Sequence, residues 1–252
     1  MMLAKYSANG NDFVIFHALD KKDRSELAKE LCNRQNGVGA DGLIVIIPHV
    51  EHDFEWEFYN SDGSHADMCG NGSRAAAHYA FINDLCAKKM SFLTGAGVIN
   101  AEVKKAHGKK KAMVLSELTV PEILEENIEF NGKTWSKIDT GVPHMVCIVD
   151  NIDEFDLVEA RKLRNKYNAN VNICKINEDS SLHVRTYERG VEDETLACGT
   201  GMAACFYRAF KEGKISDKAE VYPASGETLY LGYNGETITF KGEVVNTFNT
   251  TW

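Results

Sequence analysis

Apolar and polar residues alternate with period two in Phe54-Glu55-Trp56-Glu57-Phe58 and in Leu182-His183-Val184-Arg185-Thr186-Tyr187. That pattern predicts strands with one buried face. Thr228-Leu229-Tyr230-Leu231 and Thr237-Ile238-Thr239-Phe240 are β-rich runs joined by Asn234-Gly235, the strongest short hairpin signal. Between Asp23 and Asn33, Leu27 and Leu31 stand four apart among charges, as on a surface helix. Two further runs, Ser73 to Phe81 and Met202 to Phe210, are apolar nearly all round, which predicts buried helices. The only dense basic run, Lys104 to Lys111, reads as a solvated hairpin turn around Gly108. The class expected is α+β, with mostly antiparallel sheets wrapped on buried helices.

The two buried runs follow the same motif. Cys69-Gly70-Asn71-Gly72 and Cys198-Gly199-Thr200-Gly201 lie 129 residues apart, and the helices after them align without gaps. Earlier matches keep the same order. Gly10-Asn11-Asp12-Phe13-Val14-Ile15 corresponds to Gly141-Val142-Pro143-His144-Met145-Val146, and Leu31 to Asn36 with its following strand resembles Leu163 to Asn168 with its own. Three collinear matches indicate a duplication of about 130 residues, too long a period for a solenoid. The chain therefore reads as two homologous, pseudo-symmetric domains, 1–115 and 116–242, each a mostly antiparallel sheet or barrel around a central helix.

A glycine turn entering a helix leaves backbone N–H groups unpartnered, and with the helix dipole these suit a carboxylate or phosphate. Glycines at 70, 72, 199 and 201 remove the Cβ atoms that would block close approach. A cysteine at such a helix start has its thiolate favoured. Two loops facing one ligand could hold its carboxylate while the thiols flank its α-carbon, one removing a proton and the other returning one. One Cys-Gly-x-Gly alone is equally a tight turn beside a buried cysteine; the matched pair carries the signal.

Composition excludes other classes. The net charge of −9 over 252 residues argues against nucleic acid or an anionic membrane as partner. No apolar run approaches the roughly 20 residues of a membrane span, and Met1 to Tyr6 lacks an export signal. The seven cysteines are odd in number and form no Cys-x-x-Cys pair, so free thiols in a reducing cytoplasm are expected. His49-Val50-Glu51-His52 and His65 with Cys69 mimic metal spacing without a second ligand pair, and no metal is expected.

Over nearly its full length the chain resembles the diaminopimelate epimerase family. The segments carrying the resemblance are Gly10-Asn11-Asp12-Phe13-Val14, Gly37 to Gly42, Asn60-Ser61-Asp62-Gly63-Ser64, Met68 to Arg74, Pro143-His144, Asn172, Tyr187 to Gly190 and Glu194 to Gly201. The resemblance implies two similar domains, a small-molecule substrate, no cofactor and a homodimer. It implies Cys69 and Cys198 as the exchanging base and acid, with His144 and Glu188 tuning them. Gly70, Asn71, Gly199 and Thr200 would donate backbone N–H groups to the reacting carboxylate. Asn11, Asn60, Asn172, Glu188 and Arg189 would hold the substrate's amino and carboxylate groups. A last strand, about 243–252, would complete the first domain. Val142 and Gly42 depart from residues that many or some members carry there, and both changes concern ligand contacts rather than the thiols. A racemase of another amino acid is the nearest alternative, and a thiol-redox or ligand-binding protein the alternative from another class. As structural alternatives, the three asparagines are turn formers, His144 a strand-edge residue, and Glu188 with Arg189 an ion pair.

Overall fold

In the computed structural model, which describes residues 1–252, the first half runs β1 (Met2–Ala8), β2 (Asn11–His17), α1 (Ser25–Cys32), β3 (Gly42–Ile47), β4 (Phe54–Asn60), α2 (Gly70–Ile82), β5 (Lys89–Thr94), β6 (Gly97–His107) and β7 (Lys111–Glu117). The second runs β8 (Glu122–Phe130), β9 (Lys133–Asp139), β10 (Pro143–Ile148), a short 3-10 turn (Ile152–Glu154), α3 (Leu157–Tyr167), β11 (Asn170–Ile176), β12 (Leu182–Glu188), β13 (Asp193–Thr195), α4 (Gly199–Lys211), β14 (Lys218–Tyr222), β15 (Leu229–Tyr233) and β16 (Ile238–Thr251). Met1–Glu117 with Lys241–Trp252 form one compact unit, and Leu118–Phe240 form the other.

In the first unit the strand order is β1-β2-β3-β4-β5-β6-β7-β16, and β16 pairs back onto β1, so the sheet closes on itself. Closure removes the exposed edges that an open sheet must protect. Parallel neighbours need a long crossover, and each parallel pair here has a helix in it. In this unit α1 joins β2 to β3 and α2 joins β4 to β5. The second unit repeats the plan, with α3 between parallel β10 and β11 and α4 between parallel β12 and β14. The other pairings described are antiparallel, as in β1–β2, β3–β4, β9–β10 and β11–β12.

The apolar runs after the cysteines are the core helices. Every residue from Gly70 to Ala80 of α2 is buried, against β1, β2, β3, β6 and β7. In α4 every residue from Gly201 to Ala209 is buried, against β9, β10, β11, β12, β14 and β15. Fully buried Ala75, Ala76 and Ala77 keep α2 slim, and Ala203 and Ala204 do the same for α4. Large rings from the strands fill the space left over. Phe54 stacks on Phe92 with centroids 4.5 Å apart, and Trp56 and Phe58 continue that layer.

At the surface the sequence pattern holds with small shifts. The expected surface helix starts at Ser25, because Asp23 Oδ1 accepts from the Ser25 amide at 2.9 Å and turns the chain there. The basic run does form the β6–β7 hairpin, with Gly108 at φ +63°. No helix is long and apolar enough to cross a membrane. Phe206 is fully buried in α4. Replacing it with Ala should destabilise the second unit by about 3–5 kcal/mol, measured by denaturant unfolding, since both transfer energy and a cavity are lost.

Candidate active site

Cys69 is the N-cap of α2, in extended conformation (φ −148°, ψ 116°), and its sulfur accepts the Gly72 amide at 3.4 Å. Its carbonyl starts the helix by accepting from Ser73 N at 2.8 Å. The amides of Gly70 and Asn71 precede the first helical bond and have no intrahelical acceptor. A sulfur in this position meets the positive end of the helix and a backbone donor together, and both favour its thiolate.

A buried cation braces the loop from behind. Arg74 is fully buried, donating from Nη1 to Gly70 O at 3.2 Å and from Nη2 to Asn71 Oδ1 at 2.8 Å and to Asn9 Oδ1. Asn71 in turn donates through Nδ2 to Asn11 Oδ1 at 2.6 Å. Asn11 Nδ2 reaches Asp41 Oδ2 at 3.3 Å. Asp41 belongs to an ionic cluster in which Arg34 grips Asp12 with two bonds of 3.0 and 2.8 Å and Asp41 with one of 2.8 Å, while Lys5 pairs with Asp12 at 2.7 Å. Burial alone would raise the Asp12 carboxyl, but the bonds from Arg34 and Lys5 outweigh it and hold its pKa at about 2. The motifs around residues 10–12 and 37–42 are thus one electrostatic clamp that fixes Asn11 and Asn71.

In the second unit Cys198 is the N-cap of α4 (φ −123°, ψ 108°), largely buried at 8% exposure, and its carbonyl accepts from Met202 N at 2.9 Å. Its sulfur lies 3.5 Å from Thr200 Oγ1. Thr200 Oγ1 is 3.0 Å from His144 Nε2, and His144 Nδ1 is 3.0 Å from Asn172 Nδ2. Asn172 Oδ1 accepts from Thr186 Oγ1 at 2.9 Å, and the Thr200 carbonyl accepts from Thr140 Oγ1 at 2.8 Å. His144 and Asn172 are fully buried. Burial pushes the His144 pKa down to about 3, against the hydrogen bond with Asn172, which raises it, and with the charge of Arg189, which lowers it. His144 is therefore an interior residue of β10 between β9 and β11, not a strand-edge residue.

The structure separates the remaining candidates. Asn172 has its amide nitrogen on His144 and Met145 O and its oxygen on Thr186. Asn60 is exposed at the end of β4 and makes the turn to Ser64, through Nδ2 to Ser64 Oγ at 2.9 Å and its own amide to Ser64 O at 2.8 Å. Glu188 ends β12 and its carbonyl accepts from Glu192 N at 2.8 Å. Arg189 donates from Nη1 to Asn168 O at 3.1 Å, and its amide is held by Asn170 Oδ1 at 2.7 Å. Gly70 is buried and Gly199 half-buried, each as the first residue of its helix. His49 uses Nδ1 to accept from the amides of Glu51 and His52, and no group of three or more His, Cys, Asp or Glu side chains is arranged to hold a metal ion. All seven cysteines are free thiols.

Two of the four loop glycines also serve the packing of their own helices. A Cβ on Gly201 would lie 2.3 Å from Asn172 Oδ1, and one on Gly72 would lie 3.2 Å from Ile44 Cδ1. Both glycines make room for a strand behind the helix. Sequence reasoning also missed Arg74, Thr140, Thr186 and the Lys5–Asp12–Arg34–Asp41 cluster. A lone arginine in a nearly all-apolar helix was the one available signal.

Comparison with known proteins decides the family. The diaminopimelate epimerase family model matches residues 3–120 and 136–242. The chain belongs to the diaminopimelate epimerase family. A diaminopimelate epimerase of a Nitratiruptor species is 60% identical over 99% of this chain and 98% of its own. One from Campylobacter jejuni is 55% identical over 97% and 96%, and one from Helicobacter pylori 42% identical over 97% and 93%. Among solved structures, a probable proline racemase from Agrobacterium radiobacter aligns with a TM-score of 0.79 at 13% identity, covering 100% of this chain and 92% of that one. A PhzF-family phenazine biosynthesis protein from Bacillus anthracis gives 0.74 at 16%, covering 99% and 98%. At these identities the structural likeness concerns the fold alone.

For this member of the family, His144 should stay a neutral imidazole from pH 8 to pH 5, and imidazole nitrogen resonances in an NMR titration would check it. Unfolded, the same ring takes up a proton near its ordinary 6.5, whereas folded it does so only at about 3. The unfolded state then binds more protons between these values, so His144 lowers stability as pH falls below about 6.5 and the effect levels off below about 3.

Proposed function

We propose that the chain interconverts LL- and meso-diaminopimelate by direct proton transfer between Cys69, Cys198 and the substrate's α-carbon. The observation that carries the reading is the pair of N-cap cysteines on matched, buried, glycine-started helices in a member of this family. One sulfur, as thiolate, takes the α-proton while the other, as thiol, delivers a proton to the opposite face. The thiols then have exchanged protonation states, and the reverse reaction uses them in the opposite order.

The α-proton is weakly acidic, so charge on the carbanion must be stabilised. It spreads into the α-carboxylate as an enediolate, where the amides of Gly70, Asn71, Gly199 and Thr200 are suited to receive it. Such donors are fixed before the reaction and need no reorganisation as charge develops. Asn11, Asn60, Asn172, Glu188 and Arg189 are proposed to hold the substrate's amino and carboxylate groups; a guanidinium grips a carboxylate with two bonds. The mechanism requires no group beyond these side chains and amides. A cytoplasmic homodimer completes the reading, in line with free thiols.

The test is turnover of LL-diaminopimelate in deuterated water, with α-deuterium incorporation followed by mass spectrometry. Cys69→Ser and Cys198→Ser should each lower turnover by about 10²-fold or more, since each removes one proton-transfer group. Racemisation of a different amino acid without any diaminopimelate turnover would overturn the substrate. Thiol exchange without stereochemical activity would overturn the reaction class.

A further inference from the structure

The parallel ladders on either side of the two core helices are short. Phe54 and Glu55 of β4 face Phe92 and Leu93 of β5, Leu182 and His183 of β12 face Val221 and Tyr222 of β14, and beyond these residues the strands part. In each unit the segment leading into the cysteine enters the split. Ala66, three residues before Cys69, donates its amide to Phe58 O at 3.0 Å. Thr195, three residues before Cys198, pairs with Thr186. Phe58 and Thr186 are matched positions, each four residues past the first paired residue of its strand. The residue two before each cysteine then meets the turn on the other side of the split. Asp67 lies against Gly95, and Leu196 O accepts from Ser225 N at 2.9 Å. The two turns correspond, since each reaches a left-handed glycine four residues past its last paired residue, Gly97 at φ +107° and Gly226 at φ +75°.

In the first unit this seat is a contact between backbones. A Cβ on Gly95 would stand 2.5 Å from Asp67 Oδ1 and 2.8 Å from Asp67 Cα. Gly95, unlike Gly97, is outside the left-handed region, so the contact and not the conformation calls for glycine there. Carbon atoms rest about 3.5–4.0 Å apart, so a side chain at position 95 would drive the Asp67 backbone away by roughly 1 Å. There is room for that movement, because Asp67 and Gly95 line a cavity of about 540 Å³ together with Tyr59, His65 and Thr94. The helix behind cannot follow, since α2 is buried from Gly70 to Ala80 and a close-packed core resists deformation. The displacement therefore falls on Met68 and Cys69, the two residues between the seat and the helix.

We propose that Gly95 is a positioning residue for the Cys69 thiol: its bare backbone sets how far the lead-in segment enters the β4–β5 split, and so where the N-cap sulfur points. The catalytic meaning of this rests on the function proposed above; the seating of the thiol does not. Gly95 touches neither sulfur nor substrate and acts only through Asp67 and Met68. The aim of the sulfur matters because proton transfer needs the reacting atoms in line, and a shift of about 1 Å is enough to spoil that alignment. The fold itself depends less on the contact, since the displaced segment yields into a cavity and leaves the core unchanged.

The experiment is Gly95→Ala in the full-length protein, read by turnover of LL-diaminopimelate and by peptide-resolved iodoacetamide labelling of both cysteines. The kcat should fall about 10- to 100-fold with KM changed less than about threefold, because alignment is lost while the binding groups stay. The labelling rate of Cys69 should change by about threefold or more, with that of Cys198 at its parent value. Val98→Ala, one residue past the turn and half exposed, should leave all of these readings as in the parent. Parent-like kcat and labelling for Gly95→Ala would overturn the proposal, as would equal changes at both cysteines together with a loss of cooperative unfolding. Should Gly95→Ala give no soluble protein, Ala66→Pro decides. It removes the amide donated to Phe58 O, loosens the same segment from the other strand, and should give the same Cys69-selective pattern; a parent-like result there would overturn the proposal too. A Cys69-selective labelling change in a protein whose parent does not turn over diaminopimelate would leave the seat standing and overturn the functional reading instead.

Discussion

The position that a Cβ on Gly201 would take lies 2.3 Å from Asn172 Oδ1, closer than any side chain tolerates. The rest of the second site depends on that approach. With hydrogen at this position, the first turn of α4 seats directly on β11 and β12, and the N-cap cysteine is carried to a fixed place at the helix start. Gly72 does the same for α2 over Ile44, at a gentler 3.2 Å. A helix end held this way keeps its unpartnered amides and its dipole aimed outward, where an anion or thiolate benefits from both.

On this shared frame the two units solve the same problem with different chemistry. In the first, a buried guanidinium and an outer ionic cluster hold the loop, and the space beneath the cysteine is filled by Phe13, Ile44 and Phe58. In the second, the position of Arg74 is taken by Ala203, and the bracing comes from the neutral run of Thr186, Asn172, His144 and Thr200. A buried polar run is tolerable only when every member finds a partner, since an orphaned group loses about 1–3 kcal/mol. Here each donor meets one acceptor. Duplication explains the common backbone, and divergence of buried side chains explains why the two thiols need not be equivalent.

Much of this was legible beforehand because it is local or repeats. Apolar residues all round a helix mean burial wherever the helix lies, and Asn234-Gly235 turns a hairpin regardless of what surrounds it. The cysteine pair was visible because the same motif occurs twice. What escaped notice has another character. Asn172 reads as a ligand contact or a turn former, and only the strand register sets it under Gly201. Arg34 stands near no obvious partner in sequence, yet it grips Asp12 across 22 positions. Arg74 gives a hint by its company, but its acceptor at Asn9 becomes evident only once the end of β1 and the loop are brought together.

Sequence alone determined the matched pair of helix-starting cysteines, the duplication and the burial of the two helices, because composition, spacing and period act over a few neighbouring residues. Tertiary structure decided which polar side chains face inward, which groups bracket the His144 ring, and what Gly72 and Gly201 make room for. Those outcomes depend on register between strands distant in the chain, where a shift of one residue turns a side chain to the other face of its sheet.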